Sequence, residues 1–234
     1  MFMLSIIIPT YNEEKYLPKL LSCIKKQSYE NYELIVADAD SKDKTRQIAK
    51  RYGCKVVNGG MPAVGRNNGA KAAKGNILLF LDADVQFDKN FLKNAVNEMQ
   101  KRKLYVAGCY IKPFGNNAID KIFFGIFNLW IAITQFFYPN ASGGGIFCKR
   151  DAHKKANGFD ETIKLSEDMN YVKRCSKFGK FGILKSAMAY VSVRRFEKEG
   201  RFKVGFKLLL SGIYRIFFGE IRSDVFKYNL RYRR

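Results

Sequence analysis

The runs Ile6-Ile7-Ile8 and Ile77-Leu78-Leu79-Phe80-Leu81 are apolar at every position. A strand with one wet face alternates apolar with polar residues, so unbroken runs belong to strands covered on both faces, as in parallel sheets flanked by helices. The neighbouring segments fit that frame. Leu4–Ile8, Glu33–Ala37, Lys55–Val57 and Ile77–Leu81 read as strands, separated by helical stretches at Tyr16–Lys26, Thr45–Tyr52 and Val64–Ala73. Such alternation predicts right-handed crossovers and a mostly parallel central sheet in a single α/β, Rossmann-like domain. Ligands of these sheets bind beyond the carboxyl ends of the strands. The polar residues gather there, at Pro9–Glu13, Asp38–Asp43 and Asp82-Ala83-Asp84.

Composition narrows the chemistry. The five cysteines are odd in number and never spaced C-x-x-C, so neither a disulfide framework nor a zinc site is indicated. A single histidine, His153, excludes a multi-histidine metal centre. The apolar start Phe2–Ile8 has no basic lead-in and runs into Pro9, which marks a buried strand rather than a secretory signal and makes a cytoplasmic location the default expectation. The net charge is +21, and residues 185–234 hold 13 Lys and Arg against four acids. That surplus suits a polyanionic partner such as an anionic membrane or a phosphate-bearing substrate, with solubility as the alternative. A nucleic-acid-binding protein would need stacking motifs or a recognition helix; neither is visible, and no nucleic acid is expected.

Asp82 and Asp84 stand at i and i+2 after an all-apolar strand, so both carboxylates project from one face. A buried pair of that kind calls for a cation, and oxygen ligands without histidine suit Mg²⁺ or Mn²⁺ held together with substrate phosphates. Asp38 ends the second strand, where a carboxylate can accept hydrogen bonds from a nucleobase, and Pro9 and Tyr11 could flank a base. Arg66 lines the third helix, where its guanidinium could clamp a diphosphate. Glu167-Asp168 opens an apolar-periodic helix. Acids there complement the helix dipole, and one of them could act as a general base. Adjacent helical residues do not face each other, so at most one points at a substrate.

Taken in order, these segments resemble the family 2 glycosyltransferases of the GT-A fold. Ser5-Ile6-Ile7-Ile8-Pro9-Thr10-Tyr11-Asn12-Glu13 is similar to their opening strand and loop, and Val36–Thr45 to their second-strand motif. Gly65-Arg66-Asn67-Asn68-Gly69-Ala70 with Ala73-Lys74-Gly75 resembles their third signature, and Phe80-Leu81-Asp82-Ala83-Asp84 their D-x-D. Gly143-Gly144-Gly145, Gly158-Phe159-Asp160 and Glu167-Asp168 resemble the acceptor-side motifs. The resemblance implies an inverting, metal-dependent transfer of a sugar from a nucleotide-diphosphate sugar to the hydroxyl of a saccharide or lipid-linked acceptor. Polyprenyl-phosphate sugar synthesis is the alternative within the class, since a phosphate acceptor needs no base. It further implies that Pro9, Tyr11 and Glu13 contact the nucleoside, Asp38 the base, and Arg66 the base or diphosphate. Asp82 with Ala83 would lie near the ribose, Asp84 on the metal, and Gly144 and Glu167 on the acceptor side. Asp168 would be the catalytic base. Two departures stand out. Asp40 replaces a frequent Gly, which it can do at positive φ. The downstream histidine that many relatives supply is missing, and Arg194 and Arg195 stand there to neutralise the leaving diphosphate.

The resemblance divides the chain into a catalytic domain at 1–196, with a donor half at 1–115 and an acceptor half at 140–196, and a basic, amphipathic helical tail at 197–234. No charged residue occurs from Ile122 to Cys148. As a helix, Ile122–Tyr138 would be roughly 26 Å long, short of a bilayer core of about 30 Å. Crossing a membrane would also put Asp84 and Asp168 on opposite sides, so this segment is not expected to span. In Phe202–Phe218, a narrow stripe of Lys203, Lys207 and Arg215 accompanies a wide apolar face. That pattern fits peripheral contact with an anionic membrane at the cytoplasmic face, and equally a helix packed on the domain or a dimer contact.

Overall fold

In the computed structural model, which describes residues 2–226, the first third alternates as expected. The elements are β1 (Leu4–Thr10), α1 (Leu17–Lys25), β2 (Tyr32–Asp38), α2 (Thr45–Arg51), β3 (Lys55–Asn58), α3 (Pro62–Ala72) and β4 (Ile77–Phe80). β1 pairs in parallel with β2 and β4, and β2 with β3. There follow β5 (Val85–Phe87), α4 (Phe91–Lys101), β6 (Val106–Pro113), α5 (Ala118–Thr134), β7 (Ile146–Lys149), α6 (Arg150–Lys155), α7 (Glu167–Cys175), β8 (Phe181–Val191), α8 (Arg194–Glu199) and α9 (Arg201–Phe218).

All eight strands join one mixed, mostly parallel sheet in the order β3-β2-β1-β4-β7-β6-β8-β5, the GT-A arrangement. β7 runs antiparallel between β4 and β6, and β5 antiparallel to β8. The carboxyl ends of β1, β2, β4 and β8 therefore share one edge of the sheet with the amino ends of β5 and β7. Every loop that carries a candidate site residue opens on that edge. The first-third boundaries fall within about two residues of those read from the sequence, which is ordinary fraying.

Two hydrophobic layers hold the sheet. Leu20, Leu21 and Ile24 of α1 meet Ile6, Ile8 and Val36 on one face, while Ile7, Ile35, Phe80 and Tyr171 centre the other. β1 is buried at every position, which accounts for its unbroken apolar sequence. α3 starts on Pro62, whose fixed φ suits a first helical turn. Gly69 brings it close to the sheet, because a Cβ there would overlap the side chain of Ile7. That closeness delivers Arg66 to the sheet edge.

α5 holds most of the uncharged stretch and α9 the basic tail helix, and each is fastened to the domain by polar side chains. Asn128 fastens α5 to β6, donating to the Ile111 carbonyl at 2.7 Å and accepting from its N–H at 3.0 Å. Arg201 at the start of α9 forks onto buried Asp120 of α5 at 2.8 and 3.1 Å. Of the expected basic stripe on α9, Lys203 is exposed, but Lys207 leans on Glu199 and the Arg215 side chain is only 3% exposed, held by Glu220 at 2.9 Å. The physical reason is that Glu199 and Glu220 lie under those positions, so the charges turn inward and the aromatic and aliphatic residues face out. Tail residues 227–234 lie outside the described residues. No helix among the described residues is long and apolar enough to cross a membrane.

Candidate active site

The loop after β1 and the loop after β2 are built together. Asn12 and Asp40 both adopt positive φ, 53° and 61°, so an aspartate does fill the position where glycine is frequent. Asp38 is buried, and its carboxylate accepts from Thr10 Oγ1 at 3.0 Å, from Ser41 Oγ at 2.6 Å and from the Ser41 N–H at 3.0 Å. Arg46 adds an ion pair at 3.5 Å. Asp38 therefore organises the turn in this structure, and a nucleobase would have to displace Ser41 to reach it. Pro9 is buried against α3, Tyr11 is half-buried at the mouth of the loop, and Ala83 is buried.

Arg66 is the pivot of the site. Its side chain is 4% exposed, with Nη2 on Asp82 at 2.9 Å and Nη1 on Glu167 at 2.6 Å. It also lies over the Phe159 ring, 5.3 Å from the centroid. Burial disfavours its charge, but the facing Asp82 and Glu167 carboxylates outweigh that and hold it protonated. The sequence reading put this guanidinium near the base or diphosphate. In the structure its two arms tie Asp82 of the D-x-D to Glu167 at the start of α7.

A second bridge forms on the other flank. Arg194 grips Glu13 with two bonds of 2.7 and 2.8 Å and meets Asp84 through Nε at 2.9 Å. Its guanidinium also lies 4.4 Å from the centre of the Tyr16 ring. Glu13, expected to contact the nucleoside, is buried and serves as this anchor. Arg195 is half-buried beside Asp82 and Asp84; burial, then the like charge of Arg194, lowers its pKa.

Asp168 completes the floor. Ser166, at φ 62°, turns the chain into α7, and the two acids part as expected. Glu167 goes to Arg66, while Asp168 accepts from the Gly143 N–H at 3.1 Å and from the Met169 N–H at 2.8 Å. Gly143 is the residue the sequence reading missed. A Cβ at Gly143 would overlap the Asp82 carboxylate, whereas a Cβ at Gly144, the acceptor-side expectation, would press on Ile111 and Val191 away from the carboxylates. The three-glycine run was visible, but nothing in it distinguished the position that faces the site.

The electrostatics follow from this crowding. Glu13, Asp82, Asp84 and Glu167 meet Arg66 and Arg194, Asp168 adds a fifth acid, and the nearby Arg195 pairs with Glu199, so acids outnumber the guanidiniums that hold them. Burial pushes the Asp84 carboxyl up to about 6, with Asp82 and Glu13 adding to the rise and Arg194 opposing it. Burial, then the neighbouring Glu167, pushes Asp168 up to about 7. The Asp82 side chain remains 43% exposed and opens onto the cleft. No group of three or more His, Cys, Asp or Glu stands together as a ready metal cage among the described residues.

The sequence model of Glycosyl transferase family 2 matches residues 5–155, and the chain belongs to that family. Two curated relatives and one solved structure show the range of the likeness. A 4,4'-diaponeurosporenoate glycosyltransferase of Staphylococcus haemolyticus is 38% identical over 120 residues, 47% of this chain and 32% of that protein. A Methanococcus voltae dolichyl N-acetyl-alpha-D-glucosaminyl phosphate 3-beta-D-2,3-diacetamido-2,3-dideoxy-beta-D-glucuronosyltransferase is 28% identical over 225 residues, 84% of this chain and 70% of that protein. A Pyrobaculum calidifontis mannosyltransferase, solved with GDP-Man and Mn²⁺, superposes with a TM-score of 0.74 at 20% identity, covering 90% of this chain and 62% of the other. That superposition establishes the shared fold. The chain thus spans about a third of the Staphylococcus protein.

Proposed function

We propose that this chain is an inverting glycosyltransferase that takes a sugar from a nucleoside-diphosphate donor and places it on an acceptor hydroxyl, saccharide or lipid-linked. The observation that carries the reading is the single sheet edge on which Asp82, Asp84, Glu167, Asp168, Arg66 and Arg194 meet. In this reading the donor half, residues 1–115, supplies the nucleoside pocket around Pro9 and Tyr11. The acceptor half, 140–196, supplies Asp168. Asp168 is the one acid of the group without a guanidinium partner, and its raised pKa suits a carboxylate that takes up a proton near neutral pH. It would accept the proton of the acceptor hydroxyl on the ring face opposite the departing diphosphate. No second carboxylate is left to serve as a nucleophile, because Glu13, Asp82, Asp84 and Glu167 are each paired to an arginine. A single displacement with inversion follows.

The donor set fits a divalent cation. Its ligand atoms would be carboxylate oxygens, and the surplus of acids over guanidiniums is the kind of site a hard divalent cation such as Mg²⁺ or Mn²⁺ meets. Asp84 would hold it, with donor phosphates completing the shell. Such an ion, when bound, offsets charge growing on the leaving diphosphate. Arg194, released from Asp84, and Arg195 beside it would face the same diphosphate. The Mn²⁺ held by the Pyrobaculum structure supports this assignment.

Calorimetric titration of UDP and GDP with Mn²⁺ and with chelator tests the donor site. Wild type is expected to bind one of the two in a Mn²⁺-dependent manner, and Asp84→Ala to lose that dependence. Unchanged Mn²⁺-dependent affinity in Asp84→Ala removes the metal assignment; absence of any nucleotide binding removes the donor reading.

A further inference from the structure

α5 and α9 lie side by side, joined by the Arg201–Asp120 fork and by Phe123 packed edge-on against Phe202. Their outward faces are apolar. On α5 the exposed residues Ile122, Ile126, Leu129, Trp130 and Ile133 follow helical spacing along one stripe, continued by exposed Phe136 and Phe137. On α9 the stripe is Phe202, Phe206, Leu209, Ile213 and Phe217. Singly exposed apolar residues need no explanation, but two adjoining stripes make a contiguous patch of the kind reserved for docking.

The charges around the patch say what covers it. The two helices contain one carboxylate, Asp120, and it is buried under Arg201. Lys121 and Lys203, next to the first residue of each stripe, are exposed. A second copy of the chain would bring the same lysines and a further +21 to the contact. An anionic bilayer surface complements both the apolar face and the basic border. Half of these side chains are aromatic, Trp130 and five Phe, the Trp/Phe/Leu mixture that interfacial helices turn toward lipid. We infer that α5 and α9 form a two-helix platform that lies in the interface of an anionic membrane, with the protein bound peripherally.

The platform is wired to the site. The chain leaving α5 runs directly into the Gly143 segment that hydrogen-bonds Asp168. Arg215 of α9 reaches Met169 Sδ, and beyond the helix Glu220 accepts from Asn170 and Ile221 bridges Leu165. If the proposed function holds, a platform at the lipid surface presents Asp168 to acceptors that are themselves membrane-anchored. That consequence rests on the catalytic reading; the docking does not.

Trp130 is the only tryptophan in the chain and lies on the platform, 49% exposed, so wild type reports on itself. Full-length protein is mixed at low salt with phosphatidylcholine vesicles, with and without phosphatidylglycerol. Expected are co-sedimentation with the anionic vesicles, a blue shift of Trp130 emission, and quenching by lipids brominated near the headgroup. Ile126→Glu with Phe206→Glu should lower partitioning by about ten-fold or more, the scale of one buried aromatic side chain, at unchanged far-UV dichroism. Association that leaves Trp130 unquenched, or that survives the double substitution in folded protein, overturns the platform. So does a concentration-dependent dimer that the same substitutions abolish without any vesicle binding. Should the double variant fail to fold, the quenching of wild type decides alone. None of these readouts involves catalysis, so a failed donor site leaves them intact.

Discussion

Replacing Asp168 by Asn should make the protein more stable at alkaline pH while it removes the proposed base. The carboxyl is held at about 7 against an ordinary 3.8, so between those values the folded chain keeps a proton that the unfolded chain has lost. Stability of the wild type therefore falls as pH rises through that window, and the deficit is complete above it. Three units at 1.36 kcal/mol each would give about 4 kcal/mol for a fully dry group. Asp168 is partly open to the cleft, and solvent screening brings the figure to about 2 kcal/mol. Asparagine keeps one acceptor for the Met169 N–H but points its amide at the Gly143 N–H, a loss of about 1 kcal/mol that does not depend on pH. The pH-dependent part is the sharper quantity. Denaturant unfolding of both proteins in chelator, at pH 5 and pH 8.5, should show the variant gaining about 1 kcal/mol on wild type between the two, since part of the window lies below pH 5, or about 2–4 °C in melting temperature for a chain this size. In the same preparation, transfer to a hydroxyl acceptor should fall by about 10²–10⁴-fold. A stability difference that does not move with pH would refute the charge-starved cleft, whatever happens to activity.

Arg66→Met should destabilise the fold by about 3–5 kcal/mol, because it leaves Asp82 and Glu167 facing each other unpaired. Those acids would then be easier to protonate, so the deficit should shrink as pH falls; a deficit constant from pH 8 to pH 5 would show that the loss is one of packing. Gly143→Ala should keep native dichroism and cost about 1–3 kcal/mol of stability, since its Cβ must push the Asp82 carboxylate aside. Nucleotide affinity in that variant should drop along with it, and wild-type affinity would detach Gly143 from the site.

The parallel half of the fold was legible because its strands are buried on both faces, and burial writes itself into the sequence as unbroken runs such as Ile6-Ile7-Ile8. The antiparallel half was not. β8 reads Phe-Gly-Ile-Leu-Lys-Ser-Ala-Met-Ala-Tyr-Val, with exposed Lys185 and Ser186 in mid-strand, and its pairing with β6 slips register between Cys109 and Tyr110. A bulge of that kind breaks the two-residue period on which strand reading depends. The helix of the tail was legible as a helix, yet which of its faces meets the domain was not. Charge on one stripe ordinarily marks the wet side, and only the positions of Glu199 and Glu220 reveal that Lys207 and Arg215 face inward.

The site shows the same division between what is local and what is not. Asp82, Asp84 and Asp168 were identifiable one by one, the first two after an apolar strand and the third at the start of an apolar-periodic helix. What the sequence could not display is which charges neutralise which. Glu13 and Arg194 are 181 residues apart, and Arg66 and Glu167 are 101 apart, so both pairs exist only once the sheet is assembled. Their consequence is selective. By engaging Glu13, Asp82, Asp84 and Glu167, the two arginines leave Asp168 as the acid held by backbone N–H groups alone. An acid in that position has the weakest electrostatic reason to stay ionised and the strongest tendency to take up a proton, which is the property a general base requires.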